Sequence, residues 1–191
     1  MNLVEQNRNR RMKGDAERPI YAHDTLEFVT VAAQYCAYLE ESSGRQRDEF
    51  VQTMQKLLPL LYMKACMLPR VESNCDFLPD DRVTEDDYNW IRSIVADIMQ
   101  DEDEYEEMAS EDLGPEERRW MSVSENLADI YQALRNFVAV YQQRVEDCMN
   151  DALWVVADNF ELYWGQALVD ALRRLHQVRY SVRENDSEDT L

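Results

Sequence analysis

The sequence predicts an all-α protein, an antiparallel bundle of about five main helices with a long C-terminal helical hairpin. Apolar residues recur at steps of three and four along most of the chain, and residues that favour helix starts precede several of these runs. The 191 residues include only four glycines and five prolines. Sandwiches and barrels need many turn residues, so this scarcity favours a few long elements.

The charge distribution divides the chain into one domain and two tails. Residues 1–20 are polar and rich in arginine, and they are predicted to be a flexible basic tail. Residues 21–180 are predicted to form a single helical-bundle domain, because a chain of this length can bury a substantial core. The last eleven residues, 181–191, are polar and acidic and are predicted to be disordered.

The first two helices are predicted from their apolar stripes. Asp24 and Glu27 have the spacing of a capping box, and the glycine in segment 42–44 ends the helix that follows. The second helix is expected at 46–68. Its second half is apolar on almost every side, which predicts a central position in the bundle.

The middle of the chain predicts one further helix and an acidic segment. Thr84 and Asp87 mark the start of the third helix. Residues 101–117 follow, and positions 101–112 hold eight acidic side chains and no basic one. Because neighbouring like charges disfavour compact structure, this segment is predicted to be a loop or an exposed short helix, with no strand.

The C-terminal half predicts the long hairpin. Ser122 and Glu125 are spaced as a capping box at the start of a long helix, and a break is expected at 145–149. The last helix then extends to about residue 178. Its apolar seam repeats at steps of three and four: Leu153, Ala157, Phe160, Trp164, Leu168, Ala171 and Leu175.

The composition argues against several classes of partner. With 39 acidic and 20 basic side chains the net charge is −19, which disfavours binding to nucleic acid or to anionic membranes. No apolar run approaches the ~20 residues of a membrane-spanning helix. The four cysteines are not spaced as metal ligands, which favours reduced thiols and a cytoplasmic location.

Four segments resemble a bacterial all-helical family catalogued as a domain of unknown function. They are EFVTVAAQYCAYLE (27–40), LLPLLYMKACMLP (57–69), MNDALW (149–154) and FELYWGQALVDALRRLH (160–176). The resemblance spans about residues 21–177. It implies an all-helical fold and brings no activity and no site residues.

The polar face of the last helix is the candidate binding face. It consists of Asn150, Asp151, Trp154, Asp158 and Glu161. An indole ring among carboxylates attracts cations, and the two acids that are three residues apart have the spacing to share a divalent metal. The alternative is an ordinary hydrogen-bonded helix surface, since carboxylates of this kind usually face water.

Catalytic patterns lack a required residue. The Glu-x-x-His motif of dimetal bundles is absent, because Ile20 and Arg173 stand three residues before the two histidines. Glu104 and Glu107 fit the magnesium-binding spacing of helical nucleotide pyrophosphohydrolases, but within an acidic run such spacing arises by chance. The cysteines have no histidine nearby in sequence. No catalytic residue, metal or cofactor is therefore predicted.

The leading functional hypothesis is a non-enzymatic helical binding or adaptor protein whose partner is another protein. The ten tyrosines and four tryptophans favour it, because aromatic side chains with a polar tip are common in interfaces. The alternatives are a metal-dependent hydrolase and a small-ligand-binding protein, each using the polar face of the last helix. The sequence leaves the oligomeric state and the role of residues 101–112 open.

Overall fold

The computed structural model describes residues 18–73, 81–108 and 118–188; for 107, 108, 118 and 182–188 it describes the backbone alone. Within these ranges the chain forms six α-helices, two strands and three short turns of helix. The α-helices are α1 (His23–Glu40), α2 (Arg47–Cys66), α3 (Glu85–Met99), α4 (Val123–Tyr141), α5 (Glu146–Asn159) and α6 (Gly165–Glu188). A π-helical turn, Phe160–Trp164, joins α5 to α6, and 3-10 turns cover Pro19–Tyr21 and Gln100–Glu102. The all-α prediction is confirmed.

The central helix is α4, and the prediction that the second helix occupies the centre is wrong. Helix α4 packs against α1, α3, α5 and α6, and its Leu127, Ile130 and Leu134 are completely buried. Helix α2 packs mainly against α1 and α6. Its outer side therefore faces solvent and carries the exposed apolar side chains Leu60, Tyr62, Met63 and Met67.

The helix starts agree with the predictions in part. Thr84 accepts a hydrogen bond from the backbone N–H of Asp87, and the Asp87 carboxylate accepts one from the Thr84 N–H at 3.0 Å, so this capping box is confirmed. The Ser122 hydroxyl caps α4 by accepting from the N–H of Glu125. The capping box at Asp24 is wrong, because α1 begins at His23 after Ala22, without a side-chain cap.

The acidic segment contains a strand that the sequence reasoning missed. Strand β1 (Glu104–Met108) pairs antiparallel with β2 (Arg118–Ser122), with Glu104 opposite Ser122 and Met108 opposite Arg118. In this register Glu107 lies opposite Arg119. One pair of positions with opposite charge favours this register, and a reading of the acidic run by itself does not reveal it.

The ends of the domain differ from the predicted boundaries. Ile20 is buried, so the packed body includes residues ahead of 21, whereas residues 1–17 lie outside the described part. Helix α6 extends to Glu188, beyond its predicted end near 178. The disorder predicted for 181–191 stays a prediction, because the side chains beyond Ser181 lie outside the described residues.

None of the described helices is both long and apolar enough to span a membrane.

Candidate functional site

The residues of the predicted binding face, four of them on α5, differ in their burial and contacts. Asn150 and Asp151 hold the loop after α2: the Asn150 Nδ2 donates to the Glu72 carbonyl at 2.7 Å, and the Ser73 hydroxyl donates to the buried Asp151 carboxylate at 3.2 Å. Trp154 is half-buried, and Asp158 and Glu161 are exposed. The structure thus gives the first two residues contacts that fix a loop.

A π-helical turn follows this face and changes the direction of the side chains beyond it. The N–H of Gly165 donates to the Phe160 carbonyl, which is the i→i+5 bond of a π-helix. The Trp164 indole N–H donates to the Val156 carbonyl at 3.0 Å, and the rings of Phe160 and Trp164 lie 4.6 Å apart. A β-carbon at Gly165 would lie 2.4 Å from the Phe160 oxygen, so the turn depends on glycine at this position.

A cleft of about 680 Å³ lies between α4 and the π-turn region. We call it the amide cleft, because five of its lining residues have a carboxamide side chain: Asn126, Gln132, Asn136, Asn159 and Gln166. The remaining lining residues are Asp81, Arg119, Met121, Asp129, Ala133, Leu162, Tyr163, Trp164, Ala167 and Asp170. None of the five residues of the predicted binding face lines it.

A smaller apolar recess of about 60 Å³ adjoins the amide cleft and shares Asp81, Ala133, Asn136 and Asn159 with it. Its other lining residues are Phe137, Val140, Ala152, Val155 and Val156. The amide cleft and its recess therefore place polar groups beside an apolar surface, as in most ligand and peptide sites.

Asn136 fixes one edge of the amide cleft. Its Oδ1 accepts from the backbone N–H groups of Arg82 and Val83 at 2.7 and 2.8 Å, and its Nδ2 donates to the Asp81 carboxylate at 2.8 Å. The start of the segment that leads into α3 is thereby attached to α4, with the Asp81 carboxylate at the cleft edge.

Asn126 is the most unusual residue of the cleft wall. Only 7% of its surface is exposed, and its Nδ2 is buried without a hydrogen bond to any residue that the structure describes. A buried donor left unpaired costs about 1–3 kcal/mol. Such groups are rare in folded proteins and call for an explanation, which a ligand that accepts a hydrogen bond provides.

The rim of the amide cleft is apolar and exposed. Leu162 and Tyr163, both in the π-turn, are 61% and 69% exposed. Large apolar side chains held out into water by a fixed backbone are typical of contact surfaces.

The lining of the amide cleft has a net negative charge, because it contains three aspartates and one arginine. The Tyr88 hydroxyl donates to the Asp129 carboxylate at 2.9 Å. Loss of water around the carboxyl group raises the pKa of Asp129; the Tyr88 hydrogen bond lowers it in part, and nearby Glu125 raises it. Asp129 is nevertheless an exposed residue, so its carboxylate keeps contact with water.

The other predicted chemical groups do not form a site among the described residues. Glu104 and Glu107 lie on β1, and positions three apart in a strand lie on opposite faces, so the helical spacing of a magnesium pair does not apply there. Cys36 is buried, which raises its thiol pKa to about 12, and His176 is exposed and packs on Tyr180. Cys75 lies outside the described residues.

One cluster in the described part has the composition of a cation site: His23, Asp24 and Glu27 at the start of α1. Lys64 already donates to the Glu27 carboxylate at 2.5 Å, and this hydrogen bond lowers the pKa of Glu27. The cluster is exposed and satisfied by a protein cation, so it gives no support for a bound metal.

Comparison with known proteins identifies the family. The family model described as Domain of unknown function (DUF5063) matches residues 19–181. The chain belongs to this family. A solved structure similar to this DUF5063 chain is protein BF1032 from Bacteroides fragilis, with 41% identity over 86% of this chain and 97% of that one and a TM-score of 0.77. No curated protein matches the chain.

The sequence contains one indication of the amide cleft, which lies on α4 and not on the last helix, where the binding face was predicted. Asn126, Asp129, Gln132 and Asn136 follow one another at steps of three, three and four on α4, which is otherwise rich in apolar residues. A polar stripe on a central helix indicates that one side of that helix is not covered by core. The cleft residues of the π-turn had no comparable signal.

Proposed function

We propose that this protein is a binding module that accepts an extended segment of another protein in the amide cleft. The observation that carries the proposal is the buried Asn126 Nδ2, a donor that lacks an acceptor among the described residues. A peptide carbonyl in the cleft supplies that acceptor when the Asn126 side chain, which lines the cleft, turns its Nδ2 toward the peptide. The exposed Leu162 and Tyr163 offer apolar contact beside it.

A peptide fits the lining of the cleft better than an enclosed small molecule does. Side-chain amides both donate and accept hydrogen bonds, so they match the N–H and C=O groups of an extended backbone. Small-molecule pockets are mostly apolar and enclosed, whereas the amide cleft is open, and nine of its fifteen lining residues have a charged or carboxamide side chain.

The proposal includes a cytoplasmic location. Its support is chemical: Cys36, Cys66 and Cys148 are free thiols, as is usual in a reducing compartment.

A matched pair of tryptophan substitutions on α6 tests the proposal. Gln166 and Gln177 are both exposed on this helix, and Gln166 alone of the two lines the cleft. Peptides are selected on the wild-type protein from a random displayed library, and their affinities are measured by fluorescence anisotropy. Gln166→Trp should weaken the selected peptides about tenfold or more, because the indole occupies the cleft, and Gln177→Trp should leave affinity within about twofold.

Two results would contradict the proposal. One is a library that yields no binder, and the other is a set of binders with equal affinity for Gln166→Trp and wild type. Thermal melting of both variants establishes that they are folded.

A further inference from the structure

The three aspartates of the amide cleft lie on three separate parts of the fold. Asp81 lies in the segment ahead of α3, Asp129 on α4 and Asp170 on α6, and all three line the same cleft. Residues from distant positions in the sequence therefore bring negative charge to one place, which differs from an acidic run along a single surface helix.

Each of these carboxylates is held by a neutral donor. The Tyr88 hydroxyl donates to Asp129, the Gln166 amide donates to Asp170 at 2.9 Å, and the Asn136 amide donates to Asp81. These hydrogen bonds orient the carboxylates and leave their charge in place. Arg119 is the one basic residue that lines the cleft in the described part of the chain.

The rim adds a surface suited to a long basic side chain. A lysine or arginine carries an apolar stem and a charged head, and the stem packs on apolar groups while the head reaches the carboxylates. Leu162 and the exposed ring of Tyr163 provide that packing surface, and an aromatic ring face also attracts a cation.

Building on the proposed function, we infer that the bound segment carries a lysine or arginine whose cationic head enters the cleft, attracted by the negative charge of Asp81, Asp129 and Asp170, while a backbone carbonyl accepts from Asn126. The two contacts are complementary. A cation cannot accept a hydrogen bond from Asn126, and a carbonyl cannot neutralise the carboxylates. A basic residue in a peptide chain supplies both the acceptor and the positive charge.

The test uses the peptides selected above and three isosteric substitutions. Asp129→Asn and Asp170→Asn remove charge within the cleft, and Asp48→Asn removes it at an exposed position on α2 that does not line the cleft. The selected peptides should share a lysine or arginine. Each cleft substitution should weaken them about fivefold, with less than about twofold for Asp48→Asn.

Substitution in the peptide separates a specific pair from general attraction to an acidic protein. Replacing the shared basic residue by glutamine should weaken binding to wild type, and it should remove the difference between wild type and Asp170→Asn. A nonspecific attraction would instead make Asp48→Asn equal to the cleft variants, and that result would overturn the inference.

The two proposals fail in different ways. One outcome is that Gln166→Trp weakens the selected peptides, but these peptides lack a basic residue or bind both cleft aspartate variants as tightly as wild type. That outcome would contradict this inference and would still support peptide binding in the cleft. Peptides that bind Gln166→Trp as tightly as wild type would contradict the proposal that the cleft is the binding site.

Discussion

At the scale of single residues, the buried polar side chains of α4 differ in their hydrogen-bond partners. Ser124 is buried and its hydroxyl donates to the Asp103 carboxylate at 2.7 Å, which ties α4 to the chain ahead of β1. Asn126, two residues later, has a buried Nδ2 without an acceptor among the described residues. Burial of a polar atom stabilises a fold only where a partner compensates for lost water, so these neighbours have opposite energetic roles.

This contrast predicts substitution effects of opposite sign. Asn126→Leu, a change of similar size, should raise the free energy of unfolding by about 1 kcal/mol, since it removes an unpaired donor from the interior. The same variant should lose most of its affinity for the selected peptides. Denaturant unfolding and fluorescence anisotropy measure the two effects.

Ser124→Ala is the control on the same helix. It removes a paired hydroxyl and should lower the free energy of unfolding by about 1 kcal/mol. If Asn126→Leu lowered stability as well, Asn126 would have a structural role and would no longer support a binding site.

At the scale of elements, the π-turn decides which side chains reach the amide cleft. The wider π-helical turn rotates the chain between α5 and α6, so that of the three lining residues Leu162 and Tyr163 are exposed while Trp164 is buried. Aromatic packing holds the turn from several sides: Tyr62 of α2 meets the Phe160 ring at 5.1 Å, and Phe28 of α1 stacks on Trp164 at 6.3 Å.

Gly165→Ala should disrupt this turn. The new methyl group would lie 2.4 Å from the Phe160 carbonyl oxygen and 3.0 Å from its ring, so the backbone must shift. We expect a loss of about 1–3 kcal/mol of stability and a displaced NMR signal of the Trp164 indole N–H, which reports the turn directly. Gln177→Ala, on the exposed side of the same helix, should stay within about 0.5 kcal/mol of wild type. An unchanged Trp164 signal in Gly165→Ala would contradict this account of the turn.

At the scale of the whole molecule, charge opposes compactness. The net charge of the whole chain is −19, and in its described part α4 contacts four other helices. Ion pairs such as Arg174 with Glu102 and Lys64 with Glu27 offset part of this repulsion, but acids outnumber bases almost two to one. The remaining repulsion destabilises the folded state and is screened by salt.

The melting temperature should therefore rise with ionic strength. Increasing sodium chloride to roughly 0.5 M at neutral pH should raise the Tm by about 3 °C or more, since screening relieves repulsion more than it weakens exposed ion pairs. A double variant, Asp158→Asn with Glu161→Gln, removes two exposed charges. It should have a higher Tm than wild type at low salt and a smaller gain from added salt. A Tm that falls with salt would show that ion pairs dominate.

The helical class, the capping box of Thr84 and Asp87 and much of the hairpin seam are predictable from the amino-acid pattern alone. These features depend on local information: the spacing of apolar residues fixes which side of a helix is buried, and caps act within three residues. Leu153, Leu168 and Leu175 of the predicted seam are accordingly buried.

Tertiary structure decided the position of the amide cleft, the centre of the bundle and the pairing of β1 with β2. The cleft joins Asn126 of α4 to Asp170 of α6, and β1 needs hydrogen-bonding partners from a strand ten residues further along the chain. No local periodicity encodes which helix faces are left uncovered when the described helices pack together. Only the packed chain places the Asn126 amide, three aspartates and a π-turn around one cleft.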